Sequence, residues 1–549
     1  MARSSLFLVS LAAAAAGCSG AEKTTAHGAL PPCSSAATTV TLGVGAYAAY
    51  DITADSGCAV FPANASTTDS AEYLVVVQAA GGTPGDSSAF QVEADRAALP
   101  AARLPAPSPT GRLARTAQAA FDRMLLARSR RLTVASRAMA APGGPARAVT
   151  AVTLPAVGSL RTFSVCSDED CSVYKPVAGR ALVVGQHVAL YVDTLAPAGG
   201  LSIADLDSLE AAFDGRVYPL DTLAFGRESD VDSNGVVIVL LTNLVNALVS
   251  ASSCQNNGYV TGFFDASDLD PLVAAQHNDG EVFYGLVPDP SGSLSCAHGV
   301  AEVVGELPVT FAHEFEHMIN FVQHVVVRGG NEEDDWLDES LAKYAEELTA
   351  DSYLPADTTT WINDALGDLY DAYQYLLAPD QHYLLTTTDQ NLADVGAGWL
   401  YVRYLVDQMG AGVTRRLVQT SLTGTANVAA VAGLPFATTV ERWALANWVS
   451  DLPGFSPPGE LAYASWSFRS VFADLNALDP GDFPVAFPLD PVIVTGGSLD
   501  VTGSLRAGSG LYLLVHQPAK GGADTLQVNA GSAPLPATLV PQFAVIRLQ

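Results

Sequence analysis

Residues 313–317 read His-Glu-Phe-Glu-His inside an apolar helical pattern, and no other stretch constrains this chain so tightly. Two histidines four apart project from one face of a helix, one turn from each other. Val309, Phe311, Phe315, Met318, Ile319 and Val322 make the surrounding helix apolar, so it is expected to be buried. At this spacing His313 and His317 can share one tetrahedral Zn²⁺. Glu314, turned by about 100° from His313, can reach a water beside such a metal without ligating it. A bare five-residue pattern also arises by chance, as two satisfied histidines on a helix.

A second segment weighs against chance. Trp336 to Glu347 is amphipathic through Leu337, Leu341 and Ala345, which predicts a helix that packs on the first. It carries Glu339, 22 residues after His317, far enough for a helix end, a loop and a return. Two histidines and a glutamate with one open position are what a hydrolytic zinc centre requires. Glu346 falls on the same helix face as Glu339; it either orients a ligand or is simply solvated.

His-Glu-Phe-Glu-His-Met-Ile-Asn followed by Trp-Leu-Asp-Glu-Ser resembles the gluzincin metallopeptidases, and most of all the hyicolysin-type secreted neutral zinc peptidases. Residues 258–264 (GYVTGFF) and 398–405 (GWLYVRYL) share the likeness, which spans about residues 195–450. The resemblance implies zinc held by His313, His317 and Glu339, with Glu314 as general base for a metal-activated water. It also implies a mostly helical catalytic domain with thermolysin-like active-site helices. Asp338 and Ser340 stand where an asparagine and a glycine are usual. Gluzincins commonly supply a tyrosine or histidine to stabilise the oxyanion. Here Val395 occupies the expected place, leaving Tyr401, Tyr383 and His382 as candidates.

The N-terminus reads as a targeting segment. Arg3 precedes the apolar run 6–16, too short to span a membrane, and Ala15-Ala16-Gly17-Cys18 resembles a bacterial lipobox. Removal of residues 1–17, diacylation of Cys18 and an outer-membrane or cell-surface location follow from that likeness. Six cysteines remain, an even number in an exported chain, and sequence proximity favours the pairs Cys33–Cys58, Cys166–Cys171 and Cys254–Cys296. A formal net charge of −30 argues against a nucleic-acid partner.

Organisation along 549 residues predicts an α+β multidomain protein. Strand signals fill an N-terminal β module (18–93). Residues 94–148 are rich in Ala, Arg and Pro and read as a linker or propeptide; the stretch Arg96–Arg147 holds ten arginines, with Asp122 its only acid. Within it, 112–131 has a helical face formed by Phe121, Met124 and Leu125. The metallopeptidase region is assigned to 149–477, β-rich at its start and helical over 305–450. A C-terminal β-sandwich module occupies 478–549. Residues 236–241 form an uncharged aliphatic run that fits a central buried strand.

The expected activity is extracytoplasmic, zinc-dependent endopeptidase action on protein or peptide substrates. Two other readings are weighed. A zinc aminopeptidase is disfavoured because the chain has no Gly-x-Met-Glu-Asn run. A surface-anchored adhesion protein with a non-catalytic metal site suits the β modules, but the motif positions are intact. Asp230, Asp232 and Asn234 begin a sequence like a calcium loop; the twelfth position is Leu241 where an EF-hand has glutamate, so a tight turn competes with calcium binding.

Overall fold

A computed structural model describes residues 33, 37–53, 55–94, 116–139, 152–270, 272–387, 391–495 and 499–549. The leader, Cys18 and the flanks of the Arg-rich segment lie outside the described residues. The architecture is α+β. No described helix is long and apolar enough to cross a membrane.

The strands are β1 (Thr38–Thr39), β2 (Tyr47–Asp51), β3 (Cys58–Phe61), β4 (Ala71–Ala79), β5 (Ser87–Ala94), β6 (Leu160–Cys166), β7 (Tyr174–Val184), β8 (Val188–Asp193), β9 (Val237–Leu241), β10 (Gly262–Phe264), β11 (Val282–Gly285), β12 (Val492–Thr495), β13 (Leu499–Arg506), β14 (Gly510–Gln517), β15 (Asp524–Asn529) and β16 (Pro541–Arg547). One sheet has the order β10-β11-β9-β8-β7-β6. The other two are five-stranded, with orders β1-β3-β15-β5-β13 and β12-β14-β4-β16-β2.

Those orders correct one expectation. The N-terminal and C-terminal β regions do not form separate modules; they interleave in both five-stranded sheets. β4 is paired on both sides by C-terminal strands, with Val75 opposite both Leu513 and Val545. Phe61 of one sheet meets Tyr73 of the other edge-on at 5.1 Å, so the sheets face each other across a shared core. Alternation identifies a strand but not its partner, and here the partners lie more than 400 residues away.

This sandwich rests on a helix, Phe436–Val449. Gln78 Nε2 donates to Val440 O at 3.1 Å, and Tyr512 OH to Ala444 O at 2.8 Å. Both donors are buried, so the bonds satisfy groups that would otherwise be desolvated at a cost.

In the six-stranded sheet β9 lies in the interior, parallel to β8 and β11, with all five residues buried. Its aliphatic run matches a strand covered on both faces. β10 is an edge strand, antiparallel to β11.

Against this sheet packs the histidine helix, Val300–Phe321, which begins eight residues before its Pro308. Gly299 is its N-cap; the Gly299 N–H donates to the Glu302 carboxylate at 3.1 Å. Phe311 seats the helix, lying 4.0 Å from Phe213 and 4.7 Å from Phe283 of β11 between ring centroids. The glutamate helix, Asp335–Asp351, lies alongside, with Leu337, Leu341 and Ala345 fully buried. Two further helices, Thr358–Leu377 and Leu392–Met409, complete this layer. They approach closely at Gly396, where an added Cβ would stand 2.2 Å from the Asp371 backbone.

The three disulfides are Cys33–Cys58, Cys166–Cys171 and Cys254–Cys296, the pairs that proximity favoured. They suit an extracytoplasmic protein.

Candidate metal centre

The structure brings His313, His317 and Glu339 together, with one candidate ligand atom from each within 4.8 Å of the others. The helical pitch places the two imidazoles on one face. Packing of the glutamate helix then delivers Glu339 Oε2 to 3.7 Å from His313 Nε2, and Oε1 to 3.9 Å from His317 Nε2.

Outer carboxylates fix the ring orientations. His313 Nδ1 lies 2.7 Å from Glu346 Oε1, and His317 Nδ1 lies 3.0 Å from Asp338 Oδ2. A carboxylate accepts only, so each Nδ1 carries the proton. Lys343 Nζ donates to the same Glu346 oxygen at 2.8 Å. Glu346 is therefore an orienting group, not a solvated glutamate. Asp338, at a position where asparagine is usual, does the same for His317.

The two Nε2 atoms face each other 3.1 Å apart, a separation that either a proton carried by His317 or a shared cation can bridge. Ligands at about 2.0–2.1 Å from a tetrahedral zinc stand roughly 3.3 Å from each other, close to that separation. Glu339 Oε1 is also buried with no hydrogen-bond partner. The donor set thus fits a divalent cation of the zinc class: two imidazoles and a carboxylate, each ring braced from behind.

Glu314 sits beside the cluster, 3 % exposed. Its Oε2 accepts the Phe264 backbone N–H of β10 at 3.0 Å, while Oε1 is buried without a partner. Burial raises its pKa above the ordinary carboxylate value, and His313 and His317 only partly offset this. His317 is held well above the usual imidazole range: burial opposes its charge, but Asp338, Glu339 and Glu314 together outweigh that. These shifts describe the metal-free arrangement, a crowd of buried carboxylates that a dication would relieve.

A cleft of about 510 Å³ opens beside the cluster, lined among others by Tyr259, Glu306, His313, Glu339, Asp364 and Val395. Val395 does face it, and brings no donor. None of the three candidates for the oxyanion role lines it. Tyr401 is fully buried and shares a 2.6 Å hydrogen bond with Thr439. His382 Nδ1 lies 3.4 Å from Asp394, and the ring of Tyr383 lies under Arg506.

One residue at the centre was not singled out as a site residue from sequence. Asp122, on the helix Thr116–Met139, has its carboxylate within 4.8 Å of ligand atoms of His313 and Glu314. Its one sequence signal was being the sole acid in an arginine-rich stretch.

Elsewhere, Asp230, Asp232 and Glu281 bring carboxylates within 4.8 Å of one another. Asp232 pairs with Arg161 at 2.9 Å and Asn234 Oδ1 accepts the Val236 N–H at 2.7 Å, so the loop is held by its own hydrogen bonds as it enters β9.

No protein-family model matches the chain. Over 137 residues it is 30 % identical to the neutral metalloprotease ShpI of Staphylococcus hyicus. That stretch is 25 % of this chain and 29 % of that protein. The likeness is partial and distant; it suggests a metallopeptidase family and so implies a metal.

Proposed function

We propose that the chain is a zinc-dependent endopeptidase, exported and lipid-anchored through Cys18, acting on unfolded protein or peptide substrates. The observation that carries this is the pair of facing Nε2 atoms, 3.1 Å apart, braced by Glu346 and Asp338 and closed by Glu339.

His313, His317 and Glu339 would hold the zinc. Bound there, zinc supplies Lewis acidity, lowering the pKa of a water and polarising a carbonyl. Glu314 acts as general base. The Phe264 N–H fixes one oxygen, leaving Oε1 to take the proton of the attacking water. The same oxygen returns the proton to the leaving amine.

Edge strand β10 supports a peptide as substrate. An extended peptide can add to a free sheet edge through main-chain hydrogen bonds. The Thr261 N–H and Gly262 C=O already bind a side-chain amide, that of Gln118, at 2.7 and 2.8 Å.

Digestion of unfolded casein by the zinc-loaded chain, followed by mass spectrometry, tests the activity. Internal cleavages that stop with a chelator and return with zinc are expected. Release of N-terminal residues alone would instead favour an aminopeptidase. For the anchor, the mature chain is expected to begin at a diacylglyceryl-modified Cys18. An unmodified Cys18 in the mature chain would contradict that part.

A further inference from the structure

The helix Thr116–Met139 lies across the site just described, and its contacts are those of a bound ligand. Gln118 supplies the first. Its side-chain amide accepts the Thr261 N–H at 2.7 Å and donates to Gly262 O at 2.8 Å, so it occupies two backbone groups at the head of edge strand β10. Phe121 is the second, packing edge-on against Phe263 of β10 at 5.1 Å.

Beside those two anchors stands Asp122, 6 % exposed, with its Oδ1 accepting from Gln118 Nε2 at 2.8 Å. Its carboxylate lies within 4.8 Å of ligand atoms of His313 and Glu314. It also lines both the 510 Å³ cleft and a second cavity formed by Leu125, Phe264, His317 and Phe321, so it divides the groove at the metal centre. Further along the helix, two arginines clamp it down. Arg128 pairs with Asp265 at 3.2 Å, just beyond β10, and Arg130 with Asp335 at 2.9 Å, at the start of the glutamate helix.

Resting on the zinc reading above, we propose that Asp122 is a fourth protein ligand of the metal, and that the docked helix fills the substrate groove and holds activity to the small fraction of chains from which it has left. A zinc site with four protein ligands is closed; a hydrolytic one needs an open position. Asp122 closes it, while Gln118 covers the edge that would pair with substrate. Activation then requires the helix to leave, and the arginine pairs set how firmly it stays.

The test uses the full chain with cobalt in place of zinc, and reads the metal's visible spectrum as acetohydroxamate is added. In the wild-type chain the spectrum should barely respond. Asp122→Ala should bind the hydroxamate at least tenfold more tightly and cleave casein at least tenfold faster. Arg128→Glu combined with Arg130→Glu leaves Asp122 in place but loosens the helix, and should move both readouts the same way; it serves if Asp122→Ala fails to fold. Equal hydroxamate affinity and equal cleavage in the wild type and the variants would overturn the latency proposal while leaving the peptidase reading intact. Failure of every chain to bind cobalt would overturn both.

Discussion

His313 Nε2 and His317 Nε2 point at each other across 3.1 Å, each ring with a carboxylate within 3.0 Å of its far nitrogen. Glu314 and Glu339 each bury an oxygen beside them without a partner, so the folded chain should be measurably more stable with a divalent cation than without. A ligand that binds only the folded state at a thousand times its Kd contributes about 4 kcal/mol. Chelator should therefore lower the thermal midpoint, and stoichiometric zinc should restore it. His317→Ala should bind less than a tenth of the zinc and lose the response. A midpoint indifferent to chelator in a zinc-containing sample would contradict the stabilising role of this centre.

Glu346 touches no reacting group; it holds His313 from behind. Glu346→Ala is expected to weaken zinc affinity by about 10–100-fold, the usual effect of removing such a partner. Competition against a chromophoric chelator measures it. Undiminished affinity would mean the Glu346–His313 contact of 2.7 Å does not orient the ring.

Gly398 faces Ser340 across the packed helices. A Cβ built on Gly398 would stand 2.1 Å from Ser340 Oγ. Gly398→Ala should thus cost about 1–3 kcal/mol by overpacking. Ser340→Gly in the same chain should recover most of the loss, and chemical denaturation of the two single variants and the double reads the coupling. Additive losses would show that the two sites do not touch.

Three buried carboxylates that do not hold the metal contribute to the pH dependence of the metal-free chain. Burial pushes Glu333 up to about 8, and Glu281 and Asp364 each to about 7. A folded-state pKa above the unfolded one means the folded chain binds more protons in between. Stability from these groups is then complete below the unfolded value and is lost as pH rises through the folded one. The denaturant midpoint should be higher at pH 6 than at pH 8.5, and Glu333→Gln should flatten the slope. A midpoint that climbs over that range would reverse the assignment.

What the sequence made legible follows from how local each signal is. The histidine helix, the glutamate helix and β9 all declare themselves by apolar period, and the disulfide pairs by proximity. The β-sandwich does not: Val75 pairs with Leu513 and Val545, and nothing in a strand names a partner at that distance. Asp122 is a harder case. Gln118 reaches Thr261 across 143 residues, so the helix's place in the groove depends on long-range docking that no local pattern encodes. The oxyanion candidates failed for a related reason. Tyr401 has the right residue type, but the helix turns it into the core against Trp443, 5.4 Å away.

The most direct test of the account is the rate of casein cleavage by Glu314→Gln, with zinc content measured in the same sample. Glu314 is assigned to move the proton and not to hold the metal, so zinc should remain at one per chain while the rate falls by at least about 100-fold. A Glu314→Gln chain that keeps its zinc and cleaves as fast as the wild type would contradict the mechanism.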